Sequence, residues 1–497
     1  MKRLIALLLI LHTSSFAIHT LAQKQRGRIE NVTDYSTPSA SDPHARRIGS
    51  RATAPLPCTG SPKVPVILVQ FSDLKFTVAE TEELVNQNYT DFFNAGPGIT
   101  PGAQGAESYS SVREYFRCQS QDLFTPEFTI IGPVTLSQGY AYYGQNNDRS
   151  KDVNIRTFYS EACRLAVQQG DIVWSDFDNG GDGKVDLVFF IYAGEGENGC
   201  DDTNTIWPKE STSSLSVTYD ETTITFGSYG CTNETYNGQQ DGIGTIIHEL
   251  GHGLGLPDFY DTNYNAFGLD YWDIMDGGCY QITGHQPCCM SAYELDFMGW
   301  RELVTLDSES DYKLTLYPLE TGGTAYKVVN PANTNEYFIL ENRQNIGYDQ
   351  NFGWVTKSYR TTYGYNHGLL ITHVDYLASA WSSNRVNTSS THQRITPVPA
   401  DGQLISSNNG YTAEWAQSMH GDLYPGDNNV REMSSYKVFK GKHLGRTINN
   451  IQETDEGNIT LEVKTPSLEE KAETGNVNLT DIKALLHYYL YGQNSQP

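Results

Sequence analysis

Two histidines, a glutamate and an aspartate lie within one short stretch of the chain, and together they could hold a metal ion. His248 and His252 are four residues apart in HELGH, a spacing that places both imidazoles on one face of an α-helix. The Glu249 carboxylate then lies beside the pair, where it can bind a water rather than the metal. In such a site Zn²⁺ lowers the pKa of water to about 7 and the carboxylate takes the proton, which predicts metal-assisted hydrolysis of an amide.

A catalytic zinc normally has three protein ligands and one open position, so the sequence must supply a third ligand. Gly255 follows His252 closely, and glycine can turn the chain out of a helix through a positive φ. The segment LPD then returns Asp258 toward the two imidazoles. We therefore predict His248, His252 and Asp258 as zinc ligands. Glu249 is predicted to be the general base.

A methionine follows the third ligand by about one loop, in the stretch WDIMDGG. In this position Met275 is predicted to form a methionine turn like the one that supports metzincin sites. Astacin- and serralysin-like metzincins have a tyrosine two residues after this methionine, but here Gly277 occupies that position. Three nearby side chains could stabilise the transition state instead, and the sequence does not rank them: Tyr271, Tyr280 and His285.

A second group of acidic residues lies in DFDNGGDGKVD, where aspartates alternate with glycines. Asp178, Asp182 and Asp186 offer oxygen ligands at a spacing that suits Ca²⁺, and Lys184 can add its backbone carbonyl. The loop departs from an EF-hand, because Gly180 takes a usual ligand position and no glutamate closes the loop. We predict a calcium site here, with an Asp/Gly turn before a strand as the alternative.

A third group of polar residues follows much later in the chain. His373 and Asp375 lie in HVDY, and Asn384, His392 and Asp401 come after them. They could form a second cation site. Histidine beside aspartate in a strand more often makes internal hydrogen bonds, and we expect such bonds here.

The elements that must position these residues follow from the apolar pattern. KVPVILVQFSD (63–73) and KVDLVFFIYAG (184–194) are short apolar runs that suit buried strands. Between them, two segments carry apolar residues at helical spacing. From about residue 306 the runs are strand-like and separated by Gly, Asn, Pro and Asp. The predicted fold class is α+β: a zincin- or metzincin-like catalytic domain, with a mixed sheet and an active-site helix, followed by a β-rich domain.

The N-terminus reads as an export signal. Lys2 and Arg3 precede an apolar run and small residues near Ala22. The run is shorter than the roughly 20 residues that a membrane span needs, so we predict a secreted, extracellular protein without membrane insertion. The predicted divisions are a signal peptide (1–22), a pro-segment or linker (23–60), the catalytic domain (61–305), a β-rich domain continuous with it (306–465), and a linker with a dockerin-like or packing helix (466–497).

Charge excludes some classes of partner. The formal net charge is −25 at pH 7. Nucleic acids and anionic membranes are polyanions, so binding to either is not expected as the main function. The same charge suits divalent cations.

Three motifs together resemble the immune inhibitor A family of secreted zinc metallopeptidases, whose pattern is HExxHxxGxxD followed by a Met-containing turn. They are HELGHGLGLPDFYD, WDIMDGG and SAYELDFMGW. The resemblance extends in order over roughly residues 61–465. It implies a secreted zinc endopeptidase acting on proteins or peptides, with the ligands and base named above, and it favours calcium at the aspartate loop.

The C-terminal stretch TGNVNLTDIKALLHYYLYG resembles the second half of a dockerin repeat, although the expected upstream acidic residues are replaced by EEKAET. If it docks, the partner would be another exported protein. A packing helix is the alternative. For the whole chain, two other functions stay open: a catalytically weak metallopeptidase-like binding or adhesion protein, and a zinc hydrolase limited to small peptides.

Overall fold

The computed structural model describes most of the predicted catalytic and β-rich regions. It covers residues 55–350, 367–466 and 481–483, apart from the single residues 149, 201, 212, 309 and 442. The predicted signal peptide, most of the predicted pro-segment and nearly all of the predicted tail helix lie outside the described residues. Within them, no helix is long and apolar enough to cross a membrane.

The first sheet is mixed and has seven strands. Its parallel part runs in the order β2, β1, β3, β6, and β4, β5 and β7 pair antiparallel with β6. The central strands are almost fully buried, as expected for parallel strands covered on both faces. The strands are β1 (Lys63–Gln70), β2 (Glu127–Thr135), β3 (Val185–Glu195), β4 (Lys209–Ser211), β5 (Leu215–Tyr219), β6 (Thr222–Tyr236) and β7 (Gln239–Gln240).

The helices that cover this sheet have their apolar residues at three- and four-residue spacing, and several begin at a serine or threonine cap. The helices up to residue 300 are α1 (Glu82–Asn94), α2 (Val112–Gln119), α3 (Tyr140–Gly144), α4 (Ile155–Gln168), α5 (Glu197–Cys200), α6 (Gly244–Gly253) and α7 (Ala292–Met298). The α+β class is confirmed, with α6 as the helix that carries HELGH.

The chain beyond residue 303 forms two further sheets. One has the order β13, β12, β11, β10, β8, and the other has the order β14, β15, β9. Two short helices, α8 (Ala378–Ser382) and α9 (Ala413–His420), belong to this part. The strands are β8 (Val304–Leu306), β9 (Tyr312–Leu316), β10 (Tyr326–Val329), β11 (Glu336–Arg343), β12 (Gly368–Asp375), β13 (Ile395–Pro397), β14 (Thr447–Glu453) and β15 (Ile459–Lys464).

One apolar core joins the two regions. Side chains around α6, such as Ile247 and Leu250, belong to the same buried cluster as Tyr337 of β11, Trp381 of α8 and Trp415 of α9. The β-rich region therefore packs directly against the part that carries the candidate ligands. A change in the packing of the β-rich region can therefore alter the positions of the candidate ligands.

Candidate metal centre and its cleft

Helix α6 fixes the orientation of both histidines. His248 Nδ1 lies 3.0 Å from the Ile274 carbonyl oxygen, and His252 Nδ1 lies 2.8 Å from that of Leu256. An imidazole that donates through Nδ1 presents an unprotonated Nε2 as a ligand. The helix ends at Gly253, and the chain then turns at Gly255, whose φ of 95° favours glycine. Two ring nitrogens are thus aimed to one side of the helix.

Asp258 meets these two nitrogens after the glycine turn. Its Oδ1 lies 3.2 Å from Nε2 of His248 and 3.2 Å from Nε2 of His252. Both contacts are at ion-pair distance, yet this buried oxygen has no well-aligned hydrogen bond. The three side chains can each place one ligand atom within 4.8 Å of the others, so they could hold a metal ion.

Asn384, which follows α8, holds the outer side of Asp258. Its Oδ1 accepts a hydrogen bond from the Asp258 backbone N–H at 2.7 Å, and its Nδ2 donates to Asp258 Oδ2 at 2.5 Å. The two bonds leave only Oδ1 of the carboxylate turned toward the histidines. The β-rich region therefore supplies a residue that orients the third candidate ligand.

Met275 lies beneath α6, where the sequence placed a methionine turn. It is fully buried, and its backbone N–H donates to Asp273 Oδ1 at 2.8 Å. A Cβ at Gly251 would lie 2.5 Å from Met275 Sδ, so the helix can approach the methionine only because residue 251 is glycine. The Met275 carbonyl also accepts the N–H of Phe259, next to Asp258.

The charges of His252 and Asp258 shift each other's pKa values. Burial acts to raise the pKa of Asp258, but the two histidines outweigh it and hold that pKa well below its usual range. Burial acts to lower the pKa of His252, but Asp258 outweighs it and raises that pKa to about 10. Burial raises the pKa of Glu249, and the histidines only partly oppose this. The metal-free site therefore keeps positive charge beside Asp258, which is what a bound cation would supply.

The candidate ligands lie in a cleft of about 700 Å³. Tyr271 and Tyr280 line it, whereas His285 is not among the described residues that do, and its Nδ1 lies 3.3 Å from Ser108 Oγ. The Tyr271 hydroxyl donates to the Tyr411 hydroxyl at 3.1 Å. Tyr260, which sequence reasoning did not single out, also lines the cleft, with its ring centroid 6.4 Å from that of His248.

The predicted calcium residues also come together. The carboxylates of Asp178, Asp182 and Asp186 can each place one oxygen within 4.8 Å of the others. Asp178 accepts the backbone N–H groups of Asp182 and Gly183 at 2.9 and 2.8 Å. The Lys184 ammonium group contacts Asp182 at 3.0 Å. The loop folds around the aspartates, and one of them already has a cationic partner.

The third polar group does not converge on one point. His373 Nε2 lies 3.0 Å from Glu336 Oε1, and His392 Nε2 lies 2.8 Å from Asp375 Oδ2. These are the internal hydrogen bonds that we expected from the sequence. Asn384, considered with this group, instead holds Asp258.

Replacing Asn384 with alanine is expected to weaken zinc binding by roughly 10- to 100-fold, because Asp258 would lose both bonds that orient it. Competition with a chromophoric chelator measures the dissociation constant directly. Asn408→Ala is the matched control, since Asn408 lines the same cleft but its amide bonds to Ala266. Equal zinc affinity in the two variants would contradict an orienting role for Asn384.

The family match covers the first sheet and its helices. Residues 58–302 match the immune inhibitor A peptidase M6 catalytic domain. The chain is 28% identical over 317 residues to the pre-pro-metalloprotease PrtV of Vibrio cholerae serotype O1 (strain M66-2), covering 56% of this chain and 33% of that protein. It is 26% identical over 289 residues to Immune inhibitor A of Bacillus thuringiensis subsp. alesti, covering 50% and 42%. The matched part is thus less than half of either relative, and the domain match does not reach the tail.

Proposed function

Residues 58–302 form a catalytic domain of the immune inhibitor A peptidase M6 family, and from this we propose that the protein is an exported zinc-dependent endopeptidase. The observation that carries the proposal is the convergence of His248 Nε2, His252 Nε2 and Asp258 Oδ1, with Glu249 next to them in the cleft. Two imidazoles and one carboxylate are a common ligand set for catalytic zinc. The buried Oδ1 without an aligned partner fits the same ion.

Zinc, when bound, supplies a Lewis acid that polarises the scissile carbonyl and acidifies water. The chain supplies the proton transfers. Glu249 is buried and its Oε2 has no hydrogen-bond partner among the described residues, so it is free to accept a proton from the attacking water. Burial raises its pKa, which helps it to keep that proton until the leaving amine takes it.

Phenol groups in the cleft are suited to stabilising the developing oxyanion. Burial raises the pKa of both Tyr260 and Tyr280 above the usual value, so both hydroxyls keep their protons and can donate a hydrogen bond. Tyr271 lines the same cleft, but its hydroxyl donates to Tyr411. We propose that Tyr260 or Tyr280 performs this role.

The cleft favours a peptide chain over a very small substrate. Its volume of about 700 Å³ is larger than one side chain fills, and aromatic rings at its walls offer apolar contact to several residues. A binding or adhesion protein would also need a cleft. It would not need a buried carboxylate with an unused oxygen beside the ligand set, so that feature favours catalysis.

Removal and return of metal test the proposal. Casein cleavage is expected to fall to background after chelation and dialysis, and to recover with one equivalent of zinc per chain. Magnesium is the control, because it prefers oxygen ligands in octahedral geometry and should not restore activity. Stoichiometric zinc binding without any chelator-sensitive cleavage would favour the binding protein instead.

We also propose that Ca²⁺ binds the loop of Asp178, Asp182 and Asp186. At 100 times its dissociation constant, calcium is expected to stabilise the fold by about 2.7 kcal/mol, because the ion binds the folded loop and not the unfolded chain. A double variant, Asp178→Asn with Asp186→Asn, should lose this gain in a thermal unfolding experiment. Asp171→Asn, an exposed substitution nearby, should keep it. A calcium-induced gain in the double variant equal to that of wild type would refute the site.

A further inference from the structure

Glu210 is a cleft residue for which the proposed reaction has no use. It lies in the middle of β4, at the edge of the first sheet, and pairs with Gly230 of β6. Neighbouring side chains on a strand alternate between faces, and the Lys209 ammonium group contacts the buried carboxylate of Asp152. Glu210 therefore projects to the other face, toward α6, and lines the same cleft as His252 and Glu249.

The Glu210 carboxylate is only partly satisfied. Its Oε1 is buried and has no hydrogen-bond partner among the described residues. Burial raises the pKa of Glu210 to about 7, the His252 charge opposes that rise, and Glu249 adds to it. A buried carboxylate oxygen without a donor is unfavourable, and because the residue as a whole lines the cleft, a ligand in the cleft can offer the carboxylate a donor.

The cleft itself offers no cation for this purpose. Lys209 is the only lysine or arginine among the described residues that line the cleft, and its ammonium group is held by Asp152. Asp258 faces the two histidines, so the metal would be shared by the ligand set and not by Glu210. A cation that pairs with Glu210 in this cleft would therefore have to come from a ligand, and a basic side chain of a peptide substrate is one that fits the charge.

We propose that Glu210 forms a subsite for a basic side chain of the substrate, a lysine or arginine close to the scissile bond. The proposal rests on the peptidase function proposed above. A lysine ammonium or arginine guanidinium would donate to the Glu210 carboxylate, and the partial burial would strengthen the charge-assisted bond. Glu210 shares its cleft with Glu249 and His252, and β4 packs beside α6, so this subsite lies close to the reacting atoms.

The test begins with wild-type, zinc-loaded protein and a library of peptides derived from a proteome, with cut sites identified by mass spectrometry. Lysine and arginine should be enriched at one position within a few residues of the cut. For matched fluorogenic peptides, lysine at that position should raise kcat/KM by roughly tenfold or more over norleucine. If wild type cleaves well without any basic preference, the subsite is refuted while the peptidase function stands. If it cleaves nothing, the peptidase function itself fails.

Variants of Glu210 then test whether this residue causes the preference for a basic side chain. Glu210→Gln should reduce the lysine-to-norleucine ratio to about one, and Glu210→Lys should favour acidic residues instead. Glu127→Gln is the control, since Glu127 is exposed on the opposite edge strand, β2, and should keep the wild-type ratio. An equal loss of kcat/KM for both peptides in Glu210→Gln would mean that Glu210 supports the site structurally, and would overturn the proposal. Cleavage confined to free N-terminal residues would also overturn it.

Discussion

A protein in which Glu249 is replaced by glutamine is expected to cleave casein roughly 10²- to 10⁴-fold more slowly than wild type while it binds the same amount of zinc. Glutamine fills nearly the same volume, which matters because Glu249 is only 5% exposed. Its amide cannot accept a proton from water or pass one to an amine. The loss should appear in kcat, with little change in KM, because a general base acts in the transition state.

The control for this variant is Glu127→Gln, the same chemical change at an exposed position far from the cleft. Zinc content and thermal unfolding should be measured on both variants before activity, so that a folding defect is not mistaken for lost catalysis. A folded, zinc-loaded Glu249→Gln protein that cleaves casein at the wild-type rate would show that Glu249 is not the general base.

The convergence of the candidate ligands could be predicted because it depends on local chain geometry. Two histidines four residues apart share a helix face wherever that helix lies in the protein. Gly255 reverses the chain through a positive φ, and Asp258 follows within one turn of the chain. Each step spans only a few residues, so no knowledge of the rest of the fold was needed. The convergence of the aspartates in the loop at Asp178 could be predicted for the same reason.

The residues that complete the cleft could not be predicted, because they depend on long-range packing. Asn384 is 126 positions from Asp258 in the sequence. The two residues can meet only because the β-rich region packs against the region that contains the first sheet. Its neighbours in the sequence instead placed Asn384 in a possible second cation site. Glu210 lies on a strand of only three residues, too short for an apolar alternation to show. Tyr260 could not be predicted from the metzincin pattern, because the tyrosine of that pattern follows the methionine, whereas Tyr260 follows the third candidate ligand.

The arrangement of the two halves of the chain could also be predicted only in part. The sequence marked the change from mixed elements to strands near residue 306, and the strands β9 to β12 lie where apolar runs were found. The sequence did not show that α8 and α9 pack against the region that contains the first sheet and α6. Trp415 and Trp381 are isolated aromatic residues in the sequence, and only the folded chain shows that they join the core of α6.

Loss of the third candidate ligand should have the next largest effect. Asp258→Asn is expected to weaken zinc binding by at least about 100-fold, because a neutral amide replaces the one anionic ligand and Asn384 can still bond to the new side chain. The thermal shift provides a readout apart from activity. At 100 times its dissociation constant, zinc should stabilise wild type by about 2.7 kcal/mol, and at the same zinc concentration this gain should fall to about 0.4 kcal/mol or less in the variant.

Asp171→Asn, an exposed change of the same kind, should keep the full zinc-dependent gain. The metal-free proteins give a second comparison. Without zinc, wild type holds the buried Asp258 carboxylate between two imidazoles, whereas Asp258→Asn holds a neutral group there. Any loss of stability in the metal-free variant reports this ion pairing, and only the difference between zinc-free and zinc-loaded protein reports ligation. If Asp258→Asn keeps the zinc-dependent gain, Asp258 is not the third ligand.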